Sequence, residues 1–417
     1  MQPQPPTAEP TFEVPSRLFR RREGEERATS LELFFDLVYV FAITQLAIAL
    51  VSDISVAGIG QSMLVLLAVW WAWNYTTWMT NWFDPDLITV RLVLMATMLL
   101  SLLMAVAIPT AFTTGGLFFA ISYVTLQALR NGFNVVTMPH GNPRRTSFTR
   151  IFVWGVAAGI FWIAGGLSHG DARVALWVMA VAIDYAGPFA RYWTPGLGPS
   201  ALDDWDIDAG HFAERFQLLI IIALGESIVV IGSSVAATVV TLETVLALVI
   251  GFITTACMWW LYFDFIAEAA RRRLAMAPDP GKLARDGFTY LHLPLVAGII
   301  AYAVALKLVI KHPAEELTGN EILITVIGPI LYLLGHAGFR YRMTGTFSKP
   351  RIVATAALIA LVPLASQVDS LAFIALVMTV MLVLVVWETI EVRRWYASFA
   401  LEDRPETLMH LEKHIRR

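Results

Sequence analysis

The sequence predicts an all-α integral membrane protein of about 12 transmembrane helices, and three observations carry that expectation. Of its 417 residues, 57% are hydrophobic and 15% charged, with a mean hydropathy of +0.64, whereas soluble domains are roughly 45–50% apolar and 25% charged. Twelve stretches approach the roughly 20 mostly apolar residues that a helix needs to cross a hydrocarbon core about 30 Å thick. If every stretch crosses, 27 of the 30 Lys and Arg fall on one side, as expected when basic residues concentrate in cytoplasmic loops.

Residues 1–30 carry Pro3, Pro5, Pro6, Pro10 and Pro15, then arginines among glutamates, the composition of a disordered cytoplasmic tail. It has no apolar h-region, so the first span must direct insertion itself. The expected spans are 31–51, 58–79, 89–111, 115–137, 148–168 and 172–190 in a first half, 31–190. A second half, 214–390, holds 214–237, 242–265, 290–310, 321–340, 350–367 and 370–390. Between them, 191–213 reads as a cytoplasmic linker with Pro195, Gly196, Gly198 and Pro199, and 391–417 as a cytoplasmic C-terminal segment. Both termini then lie inside, and Arg173, Lys307 and Lys311 are the basic residues left outside.

A parallel six-plus-six repeat is suggested by Glu32 and Phe34 opening span 1 as Glu214 and Phe216 open span 7. Trp70-Trp71 in span 2 and Trp259-Trp260 in span 8 recur at nearly the same shift, followed by Asp84 and Asp264. Aromatic doublets are also common at membrane interfaces, which leaves coincidence as the alternative.

Several functions lose support at once. A net charge of −3 gives no basic excess for nucleic acid, and the single Cys257 allows neither a disulfide nor a CxxC pair. The run Asp204-Trp205-Asp206-Ile207-Asp208 begins like a calcium loop but places Ala209 and Arg215 where glycine and glutamate are needed. No phosphate-cradling glycine motif or HExxH is present, which argues against ATP-driven transport and familiar hydrolase chemistry. No cofactor or metal is expected; the expected partners are the lipid bilayer, a proton or cation, and a small solute.

A charge at a span's centre costs about 2.5–3.5 kcal/mol even on the lenient insertion scale, so intramembrane carboxylates are functional candidates. Glu226, about halfway along span 7, leads, because neighbouring Gly225 would let another helix approach; Asp184 and Asp36 follow, and the three are expected to share a polar pocket. The alternative for each is a packing hydrogen bond. Glu32 and Asp36, four apart, face one side of a helix, a like-charge pair that favours a proton on one carboxyl or requires a cation, which Arg91 or Arg215 would supply; an ion-pair cluster that only fixes helix ends is the alternative. Asp84, Arg91, Glu214, Arg215 and Asp264 complete a candidate gate or ion-pair cluster at the inner ends. Gln127, Asn131 and Asn134 recur at helical spacing in span 4, the pattern of interhelical glue or of a polar path. His292 and His336 sit where either would titrate or bind a metal, though a lone histidine usually does neither.

Taken together, Glu32-Leu33-Phe34-Phe35-Asp36-Leu37-Val38 with Gln45, Phe83-Asp84 before Arg91, Ala107-Ile108-Pro109, and Glu214-Arg215-Phe216 leading to Leu224-Gly225-Glu226-Ser227 resemble the bacterial low temperature requirement A (LtrA) family over about residues 28–395. Gln217 departs from a glycine associated with that family. The resemblance implies a multi-pass protein of the bacterial inner membrane, places Asp36, Arg91, Glu214 and Glu226 inside its motifs, and brings no catalytic assignment. The expectation is a proton- or cation-linked secondary transporter using Glu226 with Asp184. A non-transporting membrane sensor or cold-adaptation factor is the alternative, and a lipid-modifying enzyme is a third reading.

Overall fold

The computed structural model describes residues 18–20, 27–201, 207–264 and 266–400. Among them there are helices and isolated bridges, such as Phe19 with Phe83, but no strands. The first half consists of α1 (Ser30–Ser52), α2 (Val56–Trp82), α3 (Ile88–Val106), α4 (Gly116–Thr137), α5 (Pro143–Leu167) and α6 (Gly170–Phe189). The second opens with α7 (Ala209–Ala236), α8 (Leu242–Phe263), and two short helices, α9 (Ala267–Ala275) and α10 (Pro280–Ala284). A π-helical turn, Arg285–Tyr290, leads into α11 (His292–Lys311), followed by α12 (Gly319–Thr344), α13 (Lys349–Leu361) and α14 (Ser370–Ala400). The expected tail over 1–30, the acidic run from Asp204, and the segment 391–417 lie largely outside the described residues.

Each expected span coincides with a helix, and ten helical stretches are long and apolar enough to cross a membrane. The two that fall short have plain causes. At roughly 1.5 Å per residue, the 13 residues of α13 reach only about 20 Å before a 3₁₀ turn at Val362–Leu364. In α4, Gln127, Arg130, Asn131 and Asn134 lower the apolar content, and all four are buried. The helices α9 and α10 were not expected as separate elements.

Helix starts follow local chemistry. Thr29 and Glu32 form a capping box that begins α1, each side chain accepting from the other's backbone N–H. The Asp208 carboxylate accepts from His211 N at 2.9 Å and begins α7. Along α3, Ile88, Leu92, Met95, Leu99, Leu102 and Val106 are exposed at three- and four-residue spacing, an unbroken apolar stripe suited to lipid. On the opposite side Val90, Leu94 and Met98 are buried. The tightest helix pair is α11 with α12: a Cβ on Gly298 would lie 2.6 Å from the Gly328 carbonyl oxygen, so glycine permits the backbones to touch.

One end of the bundle is tied by long-range bonds between the segments expected inside. The Arg20 guanidinium donates to the Thr80 carbonyl (3.1 Å), Asn81 Nδ2 to the Asp208 carbonyl (2.9 Å), and Arg285 to the Pro188 carbonyl (3.1 Å). Arg342 pairs with Asp286 at 3.0 Å. The tryptophan doublets sit in unlike surroundings: Trp70 and Trp71 are 3% and 2% exposed, Trp259 and Trp260 45% and 41%. Their sequence likeness is therefore not a likeness of packing.

Candidate functional site

Three polar clusters and one cavity collect the buried chemistry. The first joins α1 to α7. Arg215 donates to Asp36 Oδ1 at 2.6 Å and to Glu32 Oε1 at 3.0 Å, with all three side chains fully buried. Trp73 Nε1 also donates to Asp36 Oδ1 (2.8 Å), and Arg20 lies 3.3 Å from Glu32 Oε2. Asn81 fixes the histidine here: its Oδ1 accepts from the Asp208 backbone N–H (2.8 Å), so its Nδ2 is the donor facing His211 Nδ1 (3.1 Å). His211 therefore carries its proton on Nε2 and donates it to Glu32 Oε1 at 2.8 Å. With that imidazole neutral, two carboxylates face two guanidiniums, and the charge balances inside the cluster. Glu214, half-buried, accepts from the Ala28 backbone N–H at 3.1 Å beside it.

Of the two cations proposed for Glu32 and Asp36, the structure selects Arg215. Arg91 instead reaches Asp86 at 3.3 Å in an exposed pair, because Asp86 sits in the turn just before α3 and is the nearer carboxylate. Asp84 belongs to the same turn, where its Oδ1 accepts from Asp86 N at 2.9 Å. Asp264 is an exposed residue at the end of α8. Neither aspartate joins the cluster.

The second cluster is a chain of hydrogen bonds across α6, α5, α4 and α2. Asp184 Oδ2 accepts from Tyr123 Oη–H at 2.9 Å and from Trp162 Nε1–H at 3.1 Å. Gln127 Nε2 donates to the Tyr123 hydroxyl (2.8 Å), and Gln127 Oε1 accepts from Arg130. Arg130 is fully buried, donates to Asn131 Oδ1 (3.3 Å) and the Ala72 carbonyl (3.1 Å), and lies 5.0 Å above the Tyr75 ring. Among the described residues it has no carboxylate partner. Asp184 lies five residues from the C-terminal end of α6.

Glu226 stands apart from both. It is 3% exposed near the middle of α7, beside Thr44 of α1, and its Oε1 has no partner among the described residues. Asp36, Asp184 and Glu226 thus occupy three sites rather than one pocket, because α7 directs residues 211 and 215 toward Glu32 and Asp36 and residue 226 toward Thr44. The expected role of Gly225 is also corrected: a Cβ there would meet nothing within 4 Å, so no helix approaches it.

The third cluster, in α12–α14, gathers Ser348, Arg351 and Glu388, which sequence reasoning missed, around His336, which the sequence singles out alone. Arg351 donates to Glu388 Oε2 (2.7 Å) and to His336 Nδ1, while Ser348 donates to Glu388 Oε1 (2.7 Å). Sequence reasoning also missed Arg173, whose buried guanidinium donates to the carbonyls of Ala111 (2.8 Å) and Ser168 (3.0 Å). The signal available was a basic residue inside an expected span. His292 donates from Nδ1 to the Gly287 carbonyl (3.2 Å) and faces the Tyr262 hydroxyl through Nε2 (2.8 Å). Among the described residues no three His, Cys, Asp or Glu converge as a metal site.

A cavity with about 70 Å³ open to water-sized molecules lies between α2, α4, α5, α6 and the 279–289 segment. Its walls include Trp71, Tyr75, Trp78 and Trp82, and its polar groups Asn74, Asn131, Asn134 and Thr289. Arg191, Lys282, Arg285 and Asp279 stand around it. Asn131 and Tyr75 are shared with the surroundings of Arg130, so the hydrogen-bonded chain to Asp184 begins at the cavity wall.

With the geometry in view, the comparisons place the chain. The bacterial low temperature requirement A protein family matches residues 27–386. The chain belongs to that family. An uncharacterized protein of Rhizobium meliloti (strain 1021) is 36% identical over 384 residues, covering 92% of this chain and 94% of that one. No solved structure matches. The family match contains every clustered residue above except Glu388, which lies just beyond it, and Arg20, which lies before it.

Proposed function

We propose that this member of the LtrA family is a proton- or cation-linked secondary transporter of the bacterial cytoplasmic membrane, with twelve crossings and both termini inside. The carrying observation is the cavity whose wall continues, through Asn131, Arg130, Gln127 and Tyr123, to the buried carboxylate of Asp184. As a carboxylate, Asp184 accepts from Tyr123 and Trp162. Once protonated it becomes a donor as well and accepts less strongly. Tyr123 is then free to rotate its hydrogen, Gln127 loses its fixed orientation, and Arg130 is released from the face of the Tyr75 ring. A proton at Asp184 thereby alters the shape of the solute site. Glu226 is the second candidate ion site, and the Glu32, Asp36, His211, Arg215 cluster serves as a clasp holding α1 to α7 at the inner end.

The test is proton and cation flux into proteoliposomes under imposed gradients, with wild type, Asp184→Asn and Glu226→Gln side by side. Gradient-driven flux in wild type that Asp184→Asn abolishes supports the reading. Loss with Glu226→Gln alone moves the ion site to Glu226. Absence of flux of any ion from folded wild type contradicts transport and favours the sensor.

A further inference from the structure

The cavity is more than empty space, because two buried polar atoms on it are left without partners. Thr289 Oγ1 accepts from Trp78 Nε1 (3.2 Å) and gives its single hydrogen to Asn74 Oδ1 (3.1 Å). That orients the fully buried Asn74 amide so that its Nδ2 is the donor left over, unpartnered among the described residues, in a residue that lines the cavity. On the same cavity Asn134 Oδ1, 6% exposed in its residue, is an unpartnered acceptor. Leaving such groups buried and unmade costs roughly 1–3 kcal/mol each, so the site favours an occupant, water or solute, that bonds both.

The sign of that ligand's charge follows from the surroundings. Arg191 and Lys282 have no side-chain partner among the described residues, whereas the one carboxylate on the cavity, Asp279, already accepts from the Lys282 backbone N–H at 2.8 Å. The aromatic walls do not call for a cation, since Arg130 already occupies the Tyr75 face at 5.0 Å. Rings Trp71, Trp78 and Trp82 offer flat apolar surface, and the volume suits about six waters or one small planar solute.

We propose that this cavity binds a small aromatic monocarboxylate carrying a hydroxyl group, its carboxylate on Asn74 Nδ2 beneath the Arg191 and Lys282 rim, its ring among the tryptophans, and its hydroxyl donating to Asn134 Oδ1. The inference deepens the transport reading by naming the solute class, and it rests on that reading for the cavity's place on the solute path.

The experiment is calorimetric titration of the purified full chain in nanodiscs with 4-hydroxybenzoate, benzoate and tyramine. Saturable 4-hydroxybenzoate binding is expected, severalfold weaker benzoate, and tyramine weaker by tenfold or more. Asn134→Leu should make 4-hydroxybenzoate and benzoate bind alike, and Asn74→Asp should weaken both by at least tenfold. Tyramine binding as tightly as 4-hydroxybenzoate, no saturable binding to folded wild type, or an unchanged hydroxyl preference in Asn134→Leu would overturn the proposal. The ligand comparison on wild type needs no variant to fold. Binding without flux would contradict transport and leave the site standing, whereas flux of another solute without this binding would do the reverse.

Discussion

Replacing Arg215 by glutamine tests the reading of the inner cluster as a clasp. The guanidinium is fully buried and bonds Asp36 at 2.6 Å and Glu32 at 3.0 Å. Its removal leaves two buried carboxylates with Arg20 as the remaining cation among the described residues, 3.3 Å from Glu32 and not paired with Asp36. Breaking a buried pair from one side costs roughly 3–5 kcal/mol, about 10²- to 10³-fold or more in the unfolding equilibrium. Arg91→Gln supplies the control: its pair with Asp86 is 42% and 74% exposed, so the loss should stay below about 1 kcal/mol. Unfolding of purified protein by SDS in mixed micelles, followed by circular dichroism, reads both. The double variant Arg215→Gln with Asp36→Asn should lose less than the two singles together, with a coupling of about 0.5–3 kcal/mol. Equal losses for Arg215→Gln and Arg91→Gln, or strict additivity in the cycle, would refute the clasp.

Glycine substitutions separate packed from open positions by the same assay. Gly225→Ala should be neutral or stabilise by about 0.5–1 kcal/mol, since nothing lies within 4 Å of the new methyl and alanine favours the helix. Gly298→Ala should destabilise by at least about 1–3 kcal/mol, because its Cβ would press on backbone atoms at 2.6 Å. In the third cluster, Glu388→Gln should cost roughly 3 kcal/mol or more by stranding buried Arg351, and the charge-free pair Glu388→Leu with Arg351→Met should recover part of it.

Much of this fold was legible because lipid imposes one rule, about 20 apolar residues per crossing, and each stretch obeying it became a helix. The rule also explains where it faltered: the 3₁₀ turn after α13 and the polar residues of α4 interrupt the pattern without removing the helix. That Glu32 and Asp36 need either a proton or a cation follows from their spacing, but the choice between these, and between Arg91 and Arg215, does not, since it depends on how α7 docks. Arg130 lies within the expected span 115–137, and only the docking of α4 shows it as the fully buried centre of a hydrogen-bonded chain. No sequence pattern marks Tyr123 or Trp162; that both donate to Asp184 is a tertiary fact. Gly225 failed as a close-approach signal because a glycine does not state which side of its helix faces a neighbour. Of the cavity, only Asn131 and Asn134 carry a sequence signal, as candidates for a polar path; the rest is assembled from four helices and a segment around the π turn.

The most direct test of transport is the sidedness of the cavity. In a Cys257→Ser background, Asn134→Cys is reacted with a membrane-impermeant maleimide from the cytoplasmic or the outer face of oriented vesicles. Labelling from both faces is expected, with the outer rate changing with pH and becoming pH-independent once Asp184→Asn is added. Labelling from the cytoplasmic face alone, at every pH, would contradict alternating access and with it the transporter.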